Sequence, residues 1–291
     1  MRDQLQQLLE KRVQQCVTPN KGTCTKIEQK KENLGKRSGD IVKAQATGKI
    51  ISVGDEVADI RNVNYQVHFK YLIKQKEMFI MEEEVEERIA EFYKGVIVDD
   101  IEVNPFEVVK IEEKQENENV REEETLERIS YEYDRLKAVQ YAERWWNSYN
   151  PAYKTFEVNC TNYISQCLYA GGAPMRGHPN RGQGWWTTNS NWSYSWSVAN
   201  AMKNYLPHSK IGLRAKEVSS PKELLLGDVI CYDFQGDGRF DHTTIVTAKD
   251  ADGMPLVNAN TYNSRMRYWA YEDSTAYTPN IKYKFLSIED V

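Results

Sequence analysis

The sequence predicts an α+β protein in two parts, a smaller N-terminal one and a larger C-terminal one. A helical stripe followed by an alternating strand pattern opens the chain, and helices followed by short strands recur near its end. Between them, residues 111–128 form a highly charged run that buries too little apolar surface to pack. We therefore expect an α+β accessory domain at 1–110, a charged linker at 111–130 and a second α+β domain at 131–291.

Composition narrows the functional classes. Of the 291 residues, 40% are hydrophobic and 28% are charged, which is ordinary for a folded globular protein. A formal net charge of −5 argues against a nucleic-acid partner, which would require basic surface. No apolar run approaches the roughly 20 residues of a membrane-spanning helix. The charged start at residues 1–5 does not resemble a secretory signal, so a cytoplasmic location is expected unless a leader was removed.

The N-terminal part begins with a predicted amphipathic helix, whose apolar face comprises Leu5, Leu8, Leu9, Val13 and Cys16. The polar stretch 18–40, with its proline and glycines, is predicted as loop. Residues 63–71 alternate apolar and polar side chains, the period of a half-exposed antiparallel strand. Residues 50–53 and 96–103 are predicted as further strands, whereas 82–92 fits either a strand or a helix.

The C-terminal part begins with a helix near Tyr131 that ends before Pro151. A second helix follows Cys160 and is closed by the glycines at 171–172. Residues 224–233 and 241–247 then predict a hairpin, and 256–261 the next antiparallel strand. The loop at 233–241 has oxygens spaced as at the start of a calcium-binding loop, but Thr244 stands at its twelfth position, so an Asp-Gly hairpin turn is the simpler interpretation.

The cysteines point to chemistry without a cofactor. An odd, sparse set of five is neither a disulfide framework nor a zinc motif, and four histidines make a multi-histidine metal site improbable. Cys160 falls at a predicted helix start, where the helix dipole favours thiolate and free N–H groups can stabilise an oxyanion. Cys167 and Cys231 fit core positions. Taken alone, Cys160 also fits a small buried apolar residue.

His242 is the candidate partner of Cys160. It stands at the entrance to the second hairpin strand, from which an imidazole could take the proton of a thiol. Asn258 and Asn260 project from the same side of the following strand. Either amide could orient the imidazole, and the residues alone do not separate them.

Six segments carry a family resemblance: YAERWWNSYNPAY at 141–153, NCTNYISQCLYAGG at 159–172, GWW at 184–186, SYSWSVANAMKNYL at 193–206, GDVICYDFQGDGRFDHTTIVT at 227–247 and YTPNIKYKF at 277–285. In order and spacing, the run from about 138 to 285 resembles the bacterial putative amidase domain family. That family belongs with the papain-like superfamily, which includes the CHAP and NlpC-type cell-wall peptidases.

The resemblance implies a papain-like fold, with a helix packed on an antiparallel sheet. It also implies that Cys160 is a nucleophile, that His242 is its base, and that the substrate is a peptide or peptidoglycan fragment. Two positions depart from the family pattern, which commonly has Asp at Asn159 and His at Asn260. The second departure favours Asn260 over Asn258 as the orienting residue.

The aromatic cluster between the two predicted catalytic elements has two interpretations. Core packing is the simpler one, and a substrate-binding wall is the functional one. Its candidate substrate-binding residues are Trp185, Trp186, Trp192 and Trp196. Two alternatives to a hydrolase also remain: an acyltransferase using the same site, and a non-catalytic module that binds cell-wall or other peptides.

Overall fold

The computed structural model describes residues 1–19, 22–104 and 130–290. The fold is α+β with one large antiparallel sheet. Its helices are α1 Arg2–Val17, α2 Thr25–Lys36, α3 Arg135–Trp145, α4 Cys160–Ala170, α5 Tyr194–Ser197 and α6 Ala199–His208. Its strands are β1 Gly39–Val53, β2 Ile60–Gln75, β3 Met78–Tyr93, β4 Val96–Glu102, β5 Ala215–Val218, β6 Val229–Asp233, β7 His242–Lys249, β8 Pro255–Ala259, β9 Ser264–Tyr268 and β10 Lys282–Ile288.

The sheet is continuous across both parts of the chain. Its strand order is β1-β2-β3-β9-β8-β7-β6-β10-β5, with β4 pairing beside the far end of β3. The two halves join where Glu83 and Glu84 of β3 pair with Arg265 and Ser264 of β9. The predicted division into two domains stays a prediction, and residues 111–129 of the predicted linker lie outside the described residues.

The N-terminal helices pack on β1 and cover the first three strands. The predicted apolar face of α1 is confirmed, with Leu5, Leu9 and Cys16 buried. The prediction of a loop throughout 18–40 is wrong, because Thr25–Lys36 forms α2. The helix was not recognised because one of its buried residues is charged. Lys30 lies on the buried face of α2 and pairs with Glu82, although its polarity suggested an exposed position.

The ambiguous segment at 82–92 lies within strand β3. Alternation places Glu82, Glu84 and Glu86 on one face of the strand. There they meet the lysines of α2, with the Lys26 ammonium 2.5 Å from Glu86. Charged residues on a buried strand face are stable only when they are paired with opposite charges. Glu82, Glu84 and Glu86 are paired in this way with the lysines of α2. The alternating pattern predicted for β2 is confirmed, since Val63, Tyr65, Val67, Phe69 and Tyr71 are all buried.

The C-terminal half buries both faces of the sheet. Helices α3, α4 and α6 cover one face around Trp185, Trp196 and Leu206. Tyr232, Phe234 and Tyr271 form a separate cluster on the other face. The predicted hairpin of β6 and β7 and the antiparallel pairing of β8 with β7 are confirmed. Among the described residues, no helix has the length and apolarity needed to cross a membrane.

Candidate active site

Cys160 is the first residue of α4, which confirms its predicted position at the start of a helix. Its side chain is buried, with 2% exposed. The sulfur lies 3.7 Å from the Thr161 hydroxyl oxygen and 4.0 Å from the main-chain oxygen of Asp241. The Thr161 hydroxyl is in turn 3.2 Å from that of Thr243. These hydrogen bonds therefore join the first turn of α4 to the start of β7.

The protonation state of this thiol differs from the sequence-based expectation. The helix dipole was expected to favour thiolate, but burial raises the pKa of Cys160, with the hydrogen bonds from Thr161 and Thr243 only partly opposing it. Desolvation penalises the charged form of any buried acid, and here it exceeds the effect of the helix end. Cys160 is therefore a neutral thiol near neutral pH.

His242 is the first residue of β7 and is fully buried. Its Nε2 atom lies 3.4 Å from the hydroxyl of Tyr271. The ring packs among the aromatic rings of Tyr232 and Phe234, with centroids 5.6 and 6.1 Å away. Burial, and secondarily the nearby Arg267 cation, lower the pKa of His242 to about 3, so the imidazole is neutral.

The structure brings the Cys160 sulfur to the main-chain oxygen of Asp241, and Thr243 is among the residues that hydrogen-bond to this thiol. Asp241 and Thr243 are the two chain neighbours of His242. Within the described residues, however, no hydrogen bond joins the thiol to the imidazole. Side chains alternate along a strand, so Thr243 faces α4 whereas His242 faces its paired residue Tyr232. Proton transfer between Cys160 and His242 requires the two side chains to approach each other from these positions.

Tyr271 is the site residue that the sequence reasoning missed. Its backbone has a φ of 57°, which is rare for a bulky residue, and its hydroxyl is 3.2 Å from the Ser264 hydroxyl. The Arg267 guanidinium lies 4.4 Å from the centre of its ring. Burial raises the pKa of Tyr271 to about 12, and the nearby Cys160 thiol adds a smaller increase. No motif marks a tyrosine 29 residues after His242.

The two asparagines considered as orienting residues make other contacts. The Asn258 amide donates to Glu143 at 2.8 Å and accepts from the hydroxyl of Thr247 at 2.9 Å. Asn260 accepts a 2.9 Å hydrogen bond from the Asn159 amide and donates to the Trp146 carbonyl. The two positions that depart from the family pattern thus contact each other, as a neutral amide pair beside Cys160.

Three of the four candidate substrate-binding tryptophans are core residues. Trp185, Trp186 and Trp196 have 0–1% of their surface exposed, so they can contact a ligand only if their neighbours move. The indole of Trp185 donates to Ser165, and that of Trp196 donates to Asn162. Trp192 is half-buried, with the Lys154 ammonium 4.1 Å from its ring centre, and remains a candidate for ligand contact.

A buried ion network connects this site with the N-terminal helices. Asp273 pairs with Lys30 of α2 at 2.6 Å and with Arg267 of β9 at 2.8 Å. Glu82, Glu84 and Asp273 also lie close enough together to hold a cation. Lys30 and Arg267 already supply the positive charge at these carboxylates, so the donor set fits an ion-pair core better than a metal centre.

Comparison with known proteins identifies the family of the C-terminal half. A family described as a putative amidase domain matches residues 132–286. The chain belongs to this family. The uncharacterized protein YhbB of Bacillus subtilis (strain 168) is 55% identical over 270 residues, 91% of this chain and 86% of that protein. YjcM of the same organism is 32% identical over 126 residues, 40% of this chain and 28% of that protein. No solved structure matches significantly.

The putative amidase domain contains the whole candidate site, from Cys160 to Tyr271. It also contains Arg267 and Asp273, but not their partners Lys30 and Glu84, which precede residue 132. The ion network therefore ties residues of the amidase domain to a part of the chain that the family match does not cover.

Proposed function

We propose that the chain is a cysteine-dependent amidase or peptidase with a papain-like site, in which Cys160 is the nucleophile and His242 the base. The observation that carries the proposal is the position of Cys160 at a helix start, against both chain neighbours of His242. The membership of a putative amidase family supports the hydrolase part of the proposal. The substrate class is an amide bond in a peptide, of the kind found in peptidoglycan fragments.

The reaction begins with the neutral pair. Nε2 of His242 carries a proton and donates it in a hydrogen bond to the Tyr271 hydroxyl oxygen, which leaves Nδ1 as the basic nitrogen. As the thiol attacks the substrate carbonyl, Nδ1 takes its proton. The amide carbon–nitrogen bond then breaks, His242 protonates the leaving amine, and a thioester remains on Cys160. Water hydrolyses the thioester and restores the thiol.

The start of α4 supplies the stabilisation that this reaction needs. Main-chain N–H groups in the first turn of a helix have no acceptor within the helix. The Cys160 N–H is one of these and can donate to the developing oxyanion. Tyr271 takes the orienting role proposed for Asn260 on sequence grounds, while Asn260 fixes Asn159, the residue before the nucleophile.

Two experiments separate the alternatives. Adding amine nucleophiles to the reaction distinguishes hydrolysis from acyl transfer, because a transferase yields the corresponding new amide. The burial of Cys160 and His242 favours a second candidate, a non-catalytic peptide-binding module. That candidate is supported if peptides bind with equal affinity to wild type and Cys160→Ala while neither protein cleaves them.

A further inference from the structure

A cavity of about 210 Å³ lies where the N-terminal sheet meets the putative amidase domain. One wall is formed by Val85 and Glu87 of β3. The lining also includes Glu157, Val158 and the turn 261–263 between β8 and β9. Ligand pockets for drug-sized molecules measure about 300–1,000 Å³, so this one has the size for a side chain rather than for a large cofactor.

The cavity is lined by residues that lie close in sequence to the proposed nucleophile. Val158 precedes Cys160 by two residues, and the main-chain N–H of Asn159 donates to the Thr261 hydroxyl at 2.8 Å. The same turn accepts a 2.8 Å hydrogen bond at Asn263 from the N–H of Val85. The turn thus connects the cavity wall on β3 to the residue that precedes Cys160.

The lining combines apolar walls with two carboxylates. Val85, Val158 and Tyr149 supply apolar surface. In the part of the chain that the structure describes, neither Glu87 nor Glu157 forms an ion pair. The acidic residues at 82–84 and 86 of the same strand are all paired. Burial and then the charge of Glu87 raise the pKa of Tyr149, which also lines the cavity.

We propose that this cavity is a substrate subsite of the Cys160 centre and that it receives a side chain ending in a primary ammonium group. Apolar walls suit the methylene stem of such a side chain, and the two carboxylates suit its charged end. The N-terminal part of the chain then contributes to substrate selection through Glu87. The inference rests on the proposed amidase function and names the substrate feature that the enzyme recognises.

The test measures binding separately from cleavage. The full chain carrying Cys160→Ala is titrated by calorimetry with the end-blocked tripeptide Ala-Lys-Ala and with the same peptide acetylated on its lysine. The free-amine peptide is expected to bind at least about tenfold more tightly, since a charge-assisted hydrogen bond is lost on acetylation. Adding Glu87→Gln and Glu157→Gln should bring the two affinities within about twofold.

The matched control is Glu77→Gln, which removes an exposed carboxylate from the turn between β2 and β3. This variant should keep the full preference for the free amine. Equal binding of both peptides to the Cys160→Ala protein, no measurable binding of either, or a preference that survives the double substitution would each overturn the subsite. The outcome does not depend on turnover, so it is distinguishable from failure of the amidase proposal.

Discussion

The Tyr271 hydroxyl lies 3.4 Å from Nε2 of His242, and the Arg267 guanidinium lies over the Tyr271 ring. Arg267 is held by Asp273, which also pairs with Lys30 of α2. The candidate base is therefore positioned by a chain of contacts that begins in the N-terminal helices. The N-terminal part of the chain therefore helps to hold Tyr271, and through it His242, in position.

Tyr271→Phe tests the orienting role. The substitution removes the hydroxyl that lies 3.4 Å from Nε2 of His242, while keeping the ring that packs beneath Arg267. We expect kcat/KM on a peptide substrate to fall by about 10- to 100-fold, less than the roughly 100- to 10,000-fold contribution of a general base, because the base itself remains. Its pH profile should also change, because the tautomer of His242 is no longer fixed.

Tyr133→Phe is the matched control, because it also removes a buried tyrosine hydroxyl, one that donates to the Gly227 carbonyl at 2.8 Å. Both variants should lose similar stability, but only Tyr271→Phe should lose activity. Equal kcat/KM values for the two variants would contradict the orienting role.

The buried imidazole predicts a specific dependence of stability on pH. The pKa of His242 is about 3 in the folded protein, below the ordinary value of 6.5. Between these two pH values the unfolded chain binds a proton that the folded chain does not. The free energy of unfolding should therefore decrease as the pH falls from 6.5 towards 3, by up to about 1.4 kcal/mol per pH unit from this group. Above pH 6.5 the group should contribute no dependence.

Chemical denaturation of wild type and His242→Gln at several pH values measures this effect. The variant should show a shallower pH dependence below 6.5, by about one proton. His208→Gln removes an exposed imidazole instead and serves as the control. Parallel pH curves for wild type and His242→Gln would show that His242 is not buried as a neutral group.

The ion network predicts a large stability loss at Asp273. Asp273→Asn leaves the buried Lys30 and Arg267 with one anion fewer, which should cost about 3 kcal/mol of unfolding free energy. Asp252→Asn breaks an exposed pair with Lys76 and should cost about 0–1 kcal/mol. Urea denaturation measures both values, and equal losses would mean that the network adds nothing to stability.

Alkylation tests the reactivity of Cys160. Cys24 is partly exposed and reacts independently of the site, so the measurement requires a Cys24→Ser background. There, iodoacetamide should modify Cys160 before Cys167 and Cys231, as followed by peptide mass spectrometry. The rate should continue to increase above pH 9, because burial raises the pKa of this thiol. Modification of all three at one rate would favour the non-catalytic module.

The sequence predicted the local elements better than the contacts between them. Cys160 at a helix start and His242 at a strand start follow from apolar periodicity and glycine positions, which are local signals. The pairing of β3 with β9 joins Glu83 to Arg265 and Glu84 to Ser264, and periodicity carries no information about partners so far apart in sequence. Helix α2 was missed because Lys30 is buried by pairing with distant carboxylates.

The same limit applies to the site. Asn258 and Asn260 were considered because they lie on the strand next to His242, but the register directs their amides to Glu143 and Asn159. Tyr271 reaches the imidazole through a turn with a left-handed backbone, which no propensity of tyrosine predicts. The protonation of Cys160 depends on its burial, which only the assembled fold determines.

Mass spectrometry of peptidoglycan fragments incubated with the protein tests the central proposal, that one sulfur atom performs the chemistry. Wild type and Cys231→Ala, which replaces a buried cysteine on β6, should both release the products of amide cleavage, whereas Cys160→Ala should release none. Cleavage by Cys160→Ala at the wild-type rate would contradict the proposed nucleophile.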